Sequence, residues 1–196
     1  MYILENGIGQ TFAEIDRRNQ VESLKKFDFN NQKVLDLGCG RYIDISFLFT
    51  NNPKMIYTGI DYDQDRIDTF TSYLSDNIKV KCKSIHDMDY EKEVKPFDII
   101  LYQHPDNFFP CKSLTSLNNS SLLKNFYKFV NDGKRILIYP SSIAPLYYKD
   151  NGKKIYWYVP YDKICEIIDL CFSNLFTVRQ VNGLVELTKS DFKMEI

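Results

Sequence analysis

The chain has 196 residues, 44% of them hydrophobic, with 25 basic against 26 acidic side chains and a net charge of −1. That length supports one domain with a single core, and the even charge balance argues against a nucleic-acid partner, which needs a basic field. No apolar run approaches the ~18 residues that span a bilayer, MYILENGIGQ lacks the regions of a signal peptide, and the five scattered cysteines (Cys39, Cys82, Cys111, Cys165, Cys171) fit reduced thiols in a cytoplasmic protein.

In chain order, residues 1–10 read as irregular, with glycines at 7 and 9. An amphipathic helix is predicted over 11–27, with Thr11 as N-cap, Glu14 as its capping-box partner, and Phe12, Ile15, Val21 and Leu24 facing inward. Val34, Leu35 and Leu37 form a short buried strand that ends at Gly38-Cys39-Gly40. A helix follows and stops near Asn51-Asn52-Pro53, where proline cannot continue it. A second strand, 55–61, ends in Asp61, and a third helix runs from about Gln64 to Leu74. Strand three spans about Ile78 to Cys82 and strand four 97–102. A polar stretch from His104 to Asn119 precedes a helix from Ser121 to Val130, and Asp132-Gly133 turns into strand five, 135–139.

Asn151-Gly152 between two aromatic runs is a strong hairpin signal, so residues 140–160 read as an inserted hairpin after strand five. A helix over 161–172 and a second hairpin, 175–181 and 184–188 around Asn182-Gly183, complete the chain.

Strand, glycine turn, helix is a common way to bring backbone N–H groups up to a nucleotide-like ligand, since glycine alone reaches φ > 0 without a Cβ in the way. A dinucleotide fingerprint needs G-x-G-x-x-G, and here Ile43 holds the third glycine's place. A generic turn of another Rossmann-like protein is the plain alternative. Asp61-Tyr62-Asp63-Gln64-Asp65 mimics the start of a calcium loop, but Arg66 and Ser72 stand where glycine and glutamate are required. No metal site is expected.

Lys33-Val34-Leu35-Asp36-Leu37-Gly38-Cys39-Gly40, with Asp61 at the tip of strand two and Pro96-Phe97-Asp98-Ile99-Ile100-Leu101-Tyr102 as strand four, resembles the class I S-adenosylmethionine (SAM)-dependent methyltransferases from about residue 33 to the C-terminus. The resemblance implies an α/β fold with a seven-stranded, mostly parallel sheet of order 3-2-1-4-5-7-6 and helices on both faces. It implies one methyltransferase domain over 1–196, with residues 1–32 as a cap helix over the cofactor.

The resemblance also implies the site. Asp36, Gly38, Cys39 and Gly40 surround the methionine part of SAM, and Asp61 accepts hydrogen bonds from the ribose hydroxyls, a task that suits an acceptor-only carboxylate. Asp61 as an ordinary helix cap is the competing reading. Tyr62 stands where the family often contacts the adenine. The chain departs from the family after strand three, where Ser84 and Ile85, or else Asp87, take the adenine-holding position. Gln103, counted with the cofactor-binding residues, and His104 follow strand four, where substrate-facing residues lie. His104 is either a general base or a residue that orders its loop.

The sequence Gln103-His104-Pro105-Asp106 departs from the Asp/Asn-Pro-Pro-aromatic motif of amino-methylating nucleic-acid enzymes. The reaction implied is methyl transfer to an O or N atom of a small-molecule acceptor. An RNA or protein methyltransferase and a non-catalytic SAM-binding scaffold are the alternatives. The aromatics at 139–161 serve equally as pocket walls or as an interface between subunits.

Overall fold

A computed structural model describes residues 2–4, 6–103, 121–141, 143–147, 154–158 and 160–190. Ten strands and five α-helices occur among them. In chain order they are β1 (Tyr2–Leu4), α1 (Asn6–Leu24), β2 (Lys33–Leu37), α2 (Tyr42–Asn51), β3 (Ile56–Asp61), α3 (Gln64–Asp68), β4 (Ile78–Cys82), β5 (Ile99–Tyr102), α4 (Ser121–Asn131), β6 (Arg135–Ile138), β7 (Ile143–Tyr147), β8 (Lys154–Tyr158), α5 (Tyr161–Phe172), β9 (Phe176–Val181) and β10 (Leu184–Lys189). Short turns of tighter or wider helix lie at Thr71–Tyr73, Ile85–Asp87 and Tyr90–Val94.

Seven strands form one sheet in the order β4-β3-β2-β5-β6-β10-β9. Counting only these strands, the order is 3-2-1-4-5-7-6, the arrangement expected. The first five run parallel and β10 enters antiparallel between β6 and β9. Asn182 (φ 52°) and Gly183 (φ 84°) make the turn between β9 and β10. Two consecutive left-handed residues are what a tight hairpin turn of the right twist requires.

Strand alternation divides the core into two layers. Leu35, Leu37, Ile100, Tyr102, Ile136 and Ile138 pack on one face with α4 and α5. Val34, Tyr57, Ile99, Leu101, Leu137 and Tyr139 pack on the other with α2. By the same alternation Asp36, Gly59, Asp61 and Gln103 fall on the second face. Asp36 stands opposite Gly59 of β3 and Leu101 of β5, so this face carries its polar groups toward the carboxyl edge of the sheet.

Several local expectations are corrected. Residues 2–4 are not irregular: they pair antiparallel with β8, making a second sheet of order β1-β8-β7. The long helix begins at Asn6 rather than Thr11 and ends at Leu24. Its packing against β7 and β8 outweighs the ~1 kcal/mol that each early glycine costs a helix. The inward face of α1 also differs. Asp16, Gln20, Ser23 and Leu24 are buried, whereas Ile15 is exposed and Phe12 and Val21 only half-buried.

The third helix stops at Asp68. There Thr69 donates to the carbonyl of Arg66 and accepts the N–H of Tyr42, tightening the chain into a short turn. Strand β5 starts at Ile99, because Asp98 instead exchanges hydrogen bonds with Lys33 through its carboxylate and its N–H.

β7 and β8 pair antiparallel from Ile143 opposite Tyr158 to Tyr147 opposite Lys154. The Asn151-Gly152 turn proposed between them lies outside the described residues, as do Cys111 and the stretch from His104 to Asn119.

Candidate functional site

The site begins with Asp36, which is fully buried on β2. Its Oδ2 accepts a hydrogen bond from the Tyr57 hydroxyl at 2.8 Å and another from Gln103 Nε2 at 2.6 Å. Its Oδ1 is buried and has no hydrogen-bond partner among the described residues. The carboxyl stands raised to about 7: burial lifts it most, the Tyr57 and Gln103 bonds offset part of that lift, and the charge of Asp61 adds a smaller upward push. Burial, with the nearby Asp36 charge, also raises the Tyr57 phenol well above its ordinary value, so it stays a neutral donor.

Gly59 makes this arrangement possible. A Cβ there would stand 2.8 Å from Cys39 Sγ and 2.9 Å from the Tyr57 hydroxyl. Only a residue without a side chain lets the phenol pass under β3 to reach Asp36. Cys39 is buried in the same layer, and burial raises its thiol, so it is an inert packing group. Of the residues placed around the methionine moiety, Cys39 therefore lends only its backbone to the loop.

The glycine turn works differently from the expectation of N–H groups free to hold a ligand. Gly38 N–H and Cys39 N–H both donate to the Ile60 carbonyl, and Gly40 N–H donates to Asp61 Oδ2 at 3.0 Å. All three donors are used within the protein. What glycine supplies is backbone at φ 72° and 68° and open space, since a Cβ on Gly38 would meet nothing within 4 Å.

Asp61 is buried at the tip of β3. Its Oδ1 accepts the Asp63 N–H at 3.0 Å, and Arg66 Nη1 lies 3.5 Å from Oδ2. It is not the helix cap of the competing reading: Asp63 caps α3 by accepting the Asp65 N–H. Oδ1 of Asp61 receives one backbone N–H and keeps acceptor capacity, while Oδ2 takes the Gly40 N–H and faces Arg66.

Tyr62, the next residue, is 72% exposed, a large ring with one face to solvent. Ser84 caps the turn Ile85–Asp87 by accepting the His86 N–H, and Ile85 packs against the first core layer. Asp87 is exposed. His104 lies outside the described residues.

Helix α1, whose sequence carries no identifying motif, closes this edge with polar contacts. Gln20 Nε2 donates to Gln103 Oε1 at 2.9 Å. The Tyr139 hydroxyl donates to the Asp16 carbonyl at 2.7 Å, and Ser141 Oγ donates to Asp16 Oδ2 at 2.7 Å. Arg17 pairs with Asp44 of α2 at 2.5 Å. Gln20, Asp16, Tyr57 and Ser141 are the site residues that sequence reasoning missed. A polar i, i+4 pair, Asp16 and Gln20, inside an amphipathic helix was the available signal.

These groups fit SAM. An orphaned, buried carboxylate oxygen suits the ammonium of its amino-acid end. The open space over Gly38 admits its chain, and the acceptor capacity left on Asp61 Oδ1 suits a ribose hydroxyl. Among the described residues no cluster of three or more potential ligands for a metal occurs, and no helix is long and apolar enough to cross a membrane.

Comparison with known proteins bears on the family and the fold. A methyltransferase domain family model matches residues 28–156. No curated protein matches the chain. Among solved structures, the chain is similar to the SAM-dependent methyltransferase SibL in its apo form, at 16% identity and TM-score 0.60, over 89% of this chain and 55% of that one. It thus spans about half the length of SibL. It is also similar to a SAM-dependent methyltransferase described as putative from Listeria monocytogenes, at 15% identity and TM-score 0.57, covering 89% of this chain and 99% of that one. The pyocyanin biosynthetic protein PhzM aligns at 12% identity and TM-score 0.57, over 88% of this chain and 54% of PhzM. The chain belongs to the methyltransferase domain family and has the fold of the class I SAM-dependent methyltransferases.

Proposed function

We propose that the chain transfers the methyl group of SAM to an O or N atom of a small-molecule acceptor. The observation that carries this reading is the buried Asp36 carboxylate with one unpartnered oxygen, next to an open glycine turn and on the same sheet face as Asp61. Asp36 Oδ1 holds the ammonium and Asp61 the ribose hydroxyls, while Gly38 leaves room for the chain between them. Gly40 has a different task, since its N–H ties the turn to Asp61. When bound, SAM supplies a methyl group already made electrophilic by its sulfonium. The protein's own task is then alignment and exclusion of water.

Helix α1 packs against β7 and β8 and ties itself to the ends of β5 and β6. In this reading α1 and the β7–β8 hairpin together form the lid over the acceptor. Tyr62 flanks the adenine, with Ser84 and Ile85 on its other side. His104, which follows Gln103 in the chain, takes the acceptor's proton where one must leave. Net charge of −1 supports a small, uncharged or weakly charged acceptor over nucleic acid.

Titration calorimetry with SAM and with its demethylated product S-adenosylhomocysteine tests the reading. Binding of both by the full chain is expected, and binding of neither ends it. Deleting Tyr148–Tyr156 across a glycine bridge is expected to preserve cofactor binding and abolish turnover. A dimer falling to monomers would mark the hairpin as an interface instead.

A further inference from the structure

We infer that Gln20 of α1 is a positioning residue for the amino-acid end of the cofactor, acting through Gln103 on Asp36. The inference rests on the reading that Asp36 Oδ1 holds the ammonium.

The three side chains form one buried hydrogen-bonded line. Gln20 Nε2 donates to Gln103 Oε1, and Gln103 Nε2 donates to Asp36 Oδ2. All three residues are less than a tenth exposed. The direction of donation along this line is forced. A carboxylate only accepts, so Gln103 must turn its amide nitrogen toward Asp36. Its amide oxygen then faces α1, and a donor must meet it there. Gln20 supplies that donor.

Without Gln20 the Gln103 oxygen is left buried and unpartnered, at a desolvation cost comparable to a lost hydrogen bond. Turning the amide over brings oxygen against Asp36 Oδ2, which repels the ionised carboxylate. Either way the charge on Asp36 is held less well, and Oδ1 becomes a poorer partner for a cation.

The effect is separable from docking of the helix. Asp16 still binds Tyr139 and Ser141, and Arg17 still pairs with Asp44, so α1 keeps its other ties when Gln20 is changed. Its hydrogen bond goes to Gln103 rather than to Asp36. Gln20 is a residue that sets the polarity of its neighbour.

The test uses two probes, S-adenosylhomocysteine and 5′-methylthioadenosine, which shares the nucleoside thioether but lacks the amino-acid end. Calorimetry on the full chain compares wild type with Gln20→Met, an apolar side chain of similar length. Affinity for S-adenosylhomocysteine is expected to fall about tenfold, the lower end of the range for hydrogen bonding to a charged group, while affinity for methylthioadenosine stays within about twofold. Gln103→Met is expected to give a ligand-selective loss at least as large. The double variant is expected to lose no more than Gln103→Met alone, since Gln20 acts only through Gln103. Gln20→Asn, whose amide stops short of Gln103, replaces Gln20→Met if that variant does not fold.

Equal losses for both probes, additive losses in the double variant, or no loss at all overturn the inference. Wild type that binds neither probe instead removes the functional reading on which it stands.

Discussion

Replacing Asp36 with asparagine separates what this residue does for the cofactor from what it costs the fold. Asp36 is fully buried, and burial lifts its carboxyl from 3.8 to about 7. Below pH 3.8 the group is protonated in both folded and unfolded chains. Between 3.8 and 7 the folded chain holds a proton that the unfolded chain releases, so stability falls as pH rises through this window and levels off above it. A carboxyl raised from 3.8 to about 7 corresponds to about 4 kcal/mol of destabilisation at pH 8.

The Asp36→Asn variant has no such dependence. The new amide oxygen accepts from Tyr57 and Gln103 as Oδ2 does, while the NH2 group lies where Oδ1 has no partner, at a cost of about 1–3 kcal/mol. The variant is therefore expected to be about 1–3 kcal/mol more stable than wild type at pH 8, with the advantage shrinking to nothing or reversing near pH 5. In thermal melts of the ligand-free chain this is roughly 2–12 °C at pH 8, given about 2–4 °C per kcal/mol for a chain of this size.

Cofactor binding should move the opposite way. Wild-type affinity for S-adenosylhomocysteine is expected to weaken about tenfold per pH unit below 7, because the carboxyl must lose its proton to meet the ammonium. The asparagine variant is expected to bind poorly at every pH. Denaturant titrations and calorimetry across pH 5–8 make both measurements. A stability difference between the two proteins that does not change with pH would refute the electrostatic account of Asp36.

Three further outcomes follow from the same geometry. Asp61→Ala removes the acceptor for Gly40 N–H and for the ribose, and is expected to weaken S-adenosylhomocysteine binding by about 1.5–3 kcal/mol, read by calorimetry. Gly59→Ala places a methyl group against Cys39 Sγ and the Tyr57 hydroxyl; it is expected to destabilise the ligand-free chain by about 1–3 kcal/mol in urea titrations. Paired with Cys39→Gly, which vacates half of that space, Gly59→Ala is expected to cost less than it does alone. Tyr57→Phe takes one of two donors from Asp36, so the pH midpoint of cofactor binding is expected to rise above that of wild type, with affinity at pH 8 lower.

Much of the fold could be read along the chain because its signals are local. Val34-Leu35-Asp36-Leu37 followed by two glycines, a carboxylate at the end of the next apolar run, and Asn182-Gly183 between two alternating strands each specify their own geometry through sterics and periodicity. The order of the strands then follows from the family those residues resemble. Asp36 and Asp61 stand out in the sequence as carboxylates set in apolar runs near strand ends, and the family resemblance makes them candidates for the cofactor.

The tertiary structure alone decided how Asp36 is held. Tyr57 lies two residues before a glycine on the neighbouring strand, Gln103 follows another strand, and Gln20 belongs to a helix 83 residues away from Gln103. Nothing local marks any of them as a partner of Asp36. Helix α1 shows the physical reason most clearly. Apolar periodicity chose Phe12, Ile15, Val21 and Leu24 as its buried stripe, since water penalises exposed hydrocarbon. The folded chain instead buries Asp16, Gln20 and Ser23 beside Leu24. Burial of polar groups is tolerable only where partners of matching donor and acceptor sense already wait, and the partners of Asp16 and Gln20 stand at the ends of β5 and β6. Their presence is a property of the assembled sheet edge, which no single stretch of sequence contains.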